Sequence, residues 1–335
     1  MPEILERTLW HPVALSHGIG RAPVAARLLE TPLVLWRDDT GALHAWHDQC
    51  PHRGAAFSLG RVTRGQLECP YHGWQFQAGG QCTHVPAVPD FKPGPRHCAR
   101  VFETREAYGM LWVRLAPPEG EGSPVHQLPA FAAEAEPRLR KVTSGPYVVQ
   151  ASAPRIIENF LDMAHFGYVH EGWLGARDRP EIPPYEVATT PHGVRATSCF
   201  AFQPQSSIHA VDGAQVEYTY EVTGPYTAVL TKVPEAGTTA LAGLEESIAM
   251  FVCPVTEETS VAWTRMAMND FESPDARLID FQNTIFGQDQ PVLESQRPKR
   301  LPLAPDAEVH SAADRMSAAY RRFLLGAGIQ WGVIR

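Results

Sequence analysis

The chain has 335 residues, 44% of them hydrophobic and 20% charged, an ordinary globular composition with length for more than one domain. A formal net charge of −8 and no basic block of five or more residues exclude nucleic acid as the expected partner. The apolar runs are too short to cross a bilayer, and the opening Met-Pro-Glu-Ile-Leu-Glu has neither the basic nor the apolar part of a signal segment, so a cytoplasmic protein without a membrane partner is expected.

Leu33–Trp36 and Leu43–Trp46 are strand-like runs split by Arg37-Asp-Asp-Thr-Gly41, a hairpin turn signal. Two boxes follow, Cys50-Pro-His52-Arg-Gly54 and Cys69-Pro-Tyr-His72-Gly-Trp74. Each supplies one thiolate and one imidazole, as C-x-H and C-x-x-H. A zinc finger usually keeps its cysteines together in one box and its histidines in another. The mixed arrangement is what a Rieske [2Fe–2S] cluster requires: two thiolates on one iron and two imidazoles on the other. Neutral imidazoles leave less negative charge on the cluster, so it accepts an electron more readily. Gly54, Gly73, Pro51 and Pro70 suit two tight loop tips folded over such a cluster. The other four of the six cysteines, Cys82, Cys98, Cys199 and Cys253, show no paired spacing and read as reduced packing residues.

Gly109–Leu115 reads as the strand that closes this domain, and the Pro- and Gly-rich run Ala116–Pro124 marks a boundary. The expected organisation is a Rieske domain over 1–117, a linker over 118–144 and a larger domain over 145–335. The larger domain mixes β-like runs (Val216–Val222, Ser247–Val252) with helical patterns over Arg277–Phe286 and Ala312–Leu325. There is no internal repeat. The fold class is α+β: an N-terminal all-β Rieske domain, then a larger domain of antiparallel sheet plus helices.

The larger domain opens with a second constellation, Glu158-Asn-Phe-Leu-Asp162-Met-Ala-His165-Phe-Gly-Tyr-Val-His170. Ile157, Phe160, Leu161 and Ala164 make an apolar helix face, and Glu158, Asp162 and His165 follow i, i+4, i+7 along another face of the same helix. On a regular helix His165 and His170 point about 140° apart. To share a metal, the helix must end, bend or take a wider turn near Gly167. Two histidines and a carboxylate on one side of a metal, with the other side open, are the arrangement of mononuclear non-haem Fe(II) oxygenases. An electron-storing cluster in the same chain supplies what such an iron consumes.

Three features together resemble the catalytic component of the Rieske non-haem iron oxygenases. They are the C-x-H and C-x-x-H boxes, Asn159-x-x-Asp162-x-x-His165-x4-His170, and Gln288-Asp289-Gln-Pro-Val-Leu-Glu294. The last is similar to the downstream carboxylate segment of short members such as vanillate O-demethylase, dicamba monooxygenase and toluenesulfonate methyl monooxygenase. The resemblance implies Cys50, His52, Cys69 and His72 as cluster ligands and His165, His170 and Asp289 as iron ligands. Asp280 and Glu294 are the rival carboxylates. It further implies a homotrimer in which Asp162 bridges His165 to His72 of a neighbouring subunit, with Glu158 and Asn159 beside the metal as supporting residues.

The implied cofactors are one [2Fe–2S] cluster and one mononuclear Fe(II) per chain. Electrons would come from NADH through a separate flavin- and ferredoxin-type reductase, because Gly18-Ile-Gly20 lacks the third glycine of a nucleotide fingerprint. The implied reaction is O2-dependent monooxygenation, by hydroxylation or O-demethylation, of a small and typically aromatic molecule. Arene cis-dihydroxylation and hydroxylation of a non-aromatic or amine substrate are the alternatives, and a Rieske electron-transfer protein is the remote one. Phe200, Phe202, Tyr218, Tyr220, Met250 and Trp263 are the expected pocket residues, with Arg195, His209, Lys232 or Arg265 as partners for an anionic substrate.

Overall fold

Alternating apolar residues in the first stretch become strands in the computed structural model, which describes residues 4–117, 126–205, 213–234 and 245–335. The chain divides into two compact units, Met1–Glu121 and Gly122–Arg335. In the first unit β1 (His11–Leu15), β2 (Val24–Leu28), β3 (Thr31–Arg37) and β4 (Leu43–His47) precede the first cysteine box. β5 (Arg61–Thr63), β6 (Gln66–Glu68), β7 (Gln75–Phe76) and β8 (Cys82–His84) flank the second box, and β9 (Val101–Ala107) and β10 (Met110–Arg114) complete the unit. They form a six-stranded sheet in the order β1-β10-β9-β4-β3-β2 and a four-stranded sheet β5-β6-β7-β8. The turn between β3 and β4 forms because Asp38 Oδ1 accepts the Thr40 and Ala42 N–H groups at 2.9 and 3.0 Å.

Under the two boxes lies an aromatic core. Trp46 meets Trp36, Phe57 and Phe76 edge-on, with ring centroids 5.1, 5.7 and 6.4 Å apart. All four rings are fully buried, and Cys50 and Cys69 belong to the same cluster. Each edge-to-face pair adds roughly 0.5–1.5 kcal/mol beyond burial and gives the two cysteine loops a stiff floor.

In the second unit β11 (Arg140–Val149), α1 (Ala153–Leu161) and α2 (Phe166–Val169) come first, followed by β12 (Glu186–Thr189), β13 (Val194–Gln203) and β14 (Ala214–Gly224). β15 (Thr227–Pro234), β16 (Glu246–Pro254), β17 (Ser260–Met268), α3 (Asp275–Ser295), β18 (Leu301–Pro302), α4 (Arg315–Ala327) and β19 (Val333–Ile334) follow. β11–β17 make one seven-stranded sheet, β11-β17-β16-β15-β14-β13-β12, in which every neighbour is antiparallel. Within 118–144, residues 118–125 lie outside the described residues. Ala132–Ala135 form a 3-10 turn, and β11 begins at Arg140.

Helix α1 starts where Ser152 Oγ accepts the Arg155 N–H at 3.4 Å, with Pro154 in the first turn. Its end differs from expectation. α1 stops at Leu161, and Asp162 is extended at φ −91°, ψ 134°. Glu158, Asp162 and His165 therefore do not share one helix, and the break falls at 162–165, ahead of Gly167. The physical cause is Asp162 itself: its Oδ1 accepts the Ala164 N–H at 2.8 Å, a local bond that competes with the helical ladder. Gly167 serves close packing instead, since a Cβ there would sit 3.0 Å from the Ala176 carbonyl oxygen.

Glu158 joins a buried charge cluster. Its Oε1 and Oε2 accept from Arg321 Nε and Nη2 at 2.6 and 2.9 Å, and Arg155 Nη1 binds Glu308 Oε2 at 3.1 Å. Arg155 and Arg321 are both buried, so the cluster pins α1 to α4. No helix among the described residues is long and apolar enough to cross a membrane.

Candidate active site

The two cysteine loops are built alike. Cys50 N–H bonds the Ala55 carbonyl at 2.8 Å and Gly54 N–H the Cys50 carbonyl at 2.9 Å. In the second loop Cys69 N–H bonds the Trp74 carbonyl at 2.9 Å and Gly73 N–H the Cys69 carbonyl at 3.1 Å. Each loop closes through a glycine in the left-handed region, Gly54 at φ +75° and Gly73 at φ +69°, which a side chain would strain. The loop tips bring His52 Nδ1 to 3.2 Å from His72 Nδ1. The His52 ring lies flat on Trp74, with centroids 4.4 Å apart and 7° between planes, which fixes its orientation.

Both cysteines are buried, whereas His72 is exposed. Burial pushes the Cys50 thiol up to about 12, although the backbone N–H groups of His52 and Arg53 favour its thiolate. Desolvation, then the charges of His72 and Arg53, hold His52 below its ordinary value and so keep the ring neutral. Two buried sulfurs and two facing imidazole nitrogens are a donor set for a cluster with two thiolates on one iron and two imidazoles on the other.

The second centre is assembled from α2 and α3. His165 stands just before α2, His170 just after it, and one short turn brings them together, with Nε2 atoms 3.2 Å apart. Asp289 arrives from α3. Its Oδ1 lies 3.4 Å from His165 Nε2 and 3.2 Å from His170 Nε2. The three ligand atoms fall within 4.8 Å of one another.

The outer nitrogens decide what the inner ones can do. His165 Nδ1–H donates to Asp162 Oδ2 at 3.0 Å, and His170 Nδ1–H donates to Gln288 Oε1 at 2.8 Å. With both protons committed outward, both Nε2 lone pairs point inward beside a carboxylate oxygen. Three such acceptors at this spacing repel one another unless a cation lies among them. The donor set suits a first-row divalent metal with open positions, the arrangement typical of non-haem Fe(II).

Asn159 Nδ2 donates to Asp289 Oδ1 at 3.2 Å and holds the carboxylate from the α1 side. Burial pushes the Asp162 carboxyl up, but hydrogen bonds from the His165 ring and the Ala164 N–H outweigh it, leaving the group below its ordinary value and ionised. Along α3, Pro291 lacks an N–H and leaves the Gly287 carbonyl without its helical partner in the turn that presents Gln288 and Asp289.

A cavity opens on the triad, lined by Phe160 and Phe166, by the strand residues Gln203, Tyr218, Tyr220, Leu230, Lys232, Ile248 and Met250, and by Phe281, Gln282, Ile285 and Phe286 of α3. Its empty space, open mouth included, is about 700 Å³. Tyr218, Tyr220 and Met250 thus lie where expected, and three other residues do not. Phe200 and Phe202 are half-buried on the β13 face opposite Gln203, with Phe202 under the Arg179 guanidinium. Trp263 pairs with Phe251, on the other face of the sheet from Met250.

Of the basic candidates, Arg195 is exposed opposite Glu221, and Arg265 is clamped by Glu134 at 2.9 and 2.6 Å. Lys232 lines the cavity, and His209 lies outside the described residues. Among the rival carboxylates, Asp280 is exposed, and Glu294 accepts the Gln150 N–H and the Gln290 amide. Glu158 is absorbed by its arginines. Sequence reasoning missed the roles of Gln288 and Trp74; each sits beside a residue it singled out, but a preference for glutamine or tryptophan there has no local signature.

Comparison with known proteins adds to this geometry. Residues 9–101 match the Rieske [2Fe-2S] domain, and residues 149–327 match the vanillate O-demethylase oxygenase C-terminal domain. The chain is 33% identical over 329 residues to methylxanthine N1-demethylase NdmA of Pseudomonas putida, covering 95% of this chain and 88% of that protein. The solved structure of NdmA with caffeine superposes with a TM-score of 0.82 at 30% identity, covering 96% of this chain and 91% of that one. Oxidoreductase NdmD of the same organism is 40% identical over 119 residues, 35% of this chain and 20% of that protein.

Proposed function

Because the chain belongs to the Rieske oxygenases with a vanillate O-demethylase-type catalytic domain, we propose that it demethylates a small ring compound at nitrogen or oxygen, using electrons from a separate reductase. The protein is the oxygenase component of a multicomponent Rieske system and incorporates oxygen from O2. The balanced reaction is R–X–CH3 + O2 + 2 electrons + 2 protons → R–XH + formaldehyde + water, where X is nitrogen or oxygen. Hydroxylation of the methyl carbon makes a hemiaminal or hemiacetal, which releases formaldehyde as the C–X bond breaks and X takes the proton.

The observation that carries this reading is the convergence of His165 Nε2, His170 Nε2 and Asp289 Oδ1, with the outer nitrogen of each ring held by its own acceptor. His165, His170 and Asp289 would hold Fe(II), which would supply oxygen activation, and Cys50, His52, Cys69 and His72 would hold the [2Fe–2S] cluster, which would supply the electrons. The side chains supply the rest. Asp162 and Gln288 hold the ring protons on the outer nitrogens, Asn159 orients the carboxylate, and Phe160, Phe166 and Phe286 exclude water from the reacting face.

Electrons originate on NADH and arrive through a flavin- and ferredoxin-type reductase; the partial likeness to the much longer NdmD supports a reductase on another chain. The working assembly is a trimer in which Asp162 links His165 to His72 of a neighbouring subunit. The exposure of His72 supports this.

The test is oxygen uptake and formaldehyde release by iron-reconstituted protein with NADH and a ferredoxin-type reductase, across N-methyl and O-methyl ring compounds. Substrate-dependent, stoichiometric formaldehyde is expected. A cis-diol from an unsubstituted arene, without formaldehyde from any methyl compound, would replace demethylation with dihydroxylation.

A further inference from the structure

The cavity wall carries two polar atoms that no other described residue satisfies. Gln203 and Tyr220 are each 1% exposed. Among the described residues Gln203 Oε1 and the Tyr220 hydroxyl have no hydrogen-bond partner, although both side chains line the cavity. Leaving a buried amide oxygen or hydroxyl unpaired costs about 1–3 kcal/mol, so two in one pocket mark where a ligand completes the bonding. Two neighbouring polar groups are already occupied. The other end of the Gln203 amide meets the Tyr218 hydroxyl, and Asn159 is spent on Asp289. Burial raises both tyrosine hydroxyls above their ordinary value, so they remain O–H donors throughout the neutral range.

Charge separates the ligand classes. Apart from the histidines, the one basic side chain lining the cavity among the described residues is Lys232, and it faces Glu246 Oε2 at 4.0 Å. Glu246 Oε1 is anchored by the Asn269 N–H at 3.2 Å, so the carboxylate is fixed beside the ammonium. A carboxylate or sulfonate at the Gln203 end would have to give up its hydration next to an amide oxygen, a repulsive partner, with the nearby cation already compensated. An uncharged N–H donates to that oxygen, and a ring carbonyl accepts from the Tyr220 hydroxyl.

We infer that Gln203 and Tyr220 form the recognition end of the cavity and select an uncharged ring compound bearing an N–H donor and a carbonyl acceptor over an aromatic carboxylate or sulfonate. This rests on the reading of the cavity as the substrate site beside the iron.

The experiment is anaerobic calorimetric titration of the protein carrying both its cluster and its mononuclear iron. The probes are 4-methoxybenzamide and 4-methoxybenzoate, which match in shape and differ in charge, with theobromine as a cyclic imide. Both neutral probes are expected to bind at least tenfold more tightly than the benzoate. Gln203→Leu and Tyr220→Phe should each weaken the neutral probes by roughly tenfold, and Gln203→Leu should also shrink the amide-to-acid preference, with iron content and cluster absorption unchanged. A purely structural role for Gln203 would lower affinity for amide and acid alike.

Equal or tighter binding of the benzoate, unaltered affinities in both variants, or no binding of either neutral probe to iron-loaded protein would overturn the inference. A wild-type protein with an intact cluster and no mononuclear iron would instead overturn the functional reading beneath it.

Discussion

His170 is held from both sides by consecutive residues of one helix: Gln288 Oε1 accepts from its Nδ1 at 2.8 Å, while Asp289 Oδ1 lies 3.2 Å from its Nε2. The ring cannot rotate or change tautomer without breaking one of these relationships. One turn of α3, loosened by Pro291, therefore supplies both the carboxylate and the group that aims the opposing lone pair.

Gln288→Leu keeps the shape but removes the acceptor, freeing the His170 proton to sit on either nitrogen. Mononuclear iron affinity should fall by about 10–100-fold while the cluster is retained, read by metal analysis after dialysis against graded chelator. Iron retention equal to wild type would show that Gln288 does not set the tautomer.

Asp289→Ala should leave the visible absorption of the cluster intact and abolish mononuclear iron, and with it substrate-dependent oxygen uptake. Should the iron stay, the carboxylate ligand lies elsewhere, with Glu294 the next to substitute.

Asp162→Asn retains a side chain that can bond Ala164 and His165 but removes the charge. Both metal centres should load, whereas oxygen chemistry should slow at least 100-fold in single-turnover measurements starting from reduced cluster. Normal coupled turnover in this variant would remove the carboxylate from electron transfer.

Glu158→Gln tests whether that carboxylate supports the metal or the fold. It leaves Arg321 and Arg155 buried with less compensation and should lower stability by about 3 kcal/mol in urea unfolding. Iron occupancy of the folded protein at low temperature should not change; a selective loss of iron would put Glu158 beside the metal after all.

His11 makes the first unit sensitive to pH. Burial holds its ring at about 4 instead of the ordinary 6.5, against the opposing effect of the Glu6 carbonyl 2.7 Å from Nε2. A depressed value means the unfolded chain binds the proton first. The His11 contribution is complete above about pH 6.5 and is lost as pH falls toward 4, by up to about 3 kcal/mol over the whole window. Urea midpoints followed by tryptophan fluorescence between pH 7 and 5 should fall in wild type and flatten in His11→Asn; parallel slopes would assign the effect to other groups.

Much of this molecule is local and so was legible residue by residue. The Asp38 turn, the two glycine-closed cysteine loops and the strand alternation of β14 each depend on contacts within a few positions. The end of α1 is a counterexample at short range: helical periodicity carried the reading through Asp162, but its side chain had a nearer partner in the Ala164 N–H. Pocket residues were harder. Tyr218, Tyr220 and Met250 share the face that lines the cavity, whereas Phe202 and Trp263 are equally aromatic and face away, because strand parity and the β-bulge between Ala196 and Cys199 decide which side a residue takes.

The sequence alone determined the kinds of donor in each box, the order of the two units and the α+β class, since spacing, turn chemistry and hydrophobic period are properties of neighbours along the chain. Tertiary structure decided which of three carboxylates stands beside two histidines more than a hundred residues away, and that Glu158 faces arginines. It also decided that the Gln203 amide oxygen and the Tyr220 hydroxyl end in one cavity without a partner among the described residues. Those outcomes depend on how α1 and α3 pack against the sheet, a matter of long-range burial that no local pattern records.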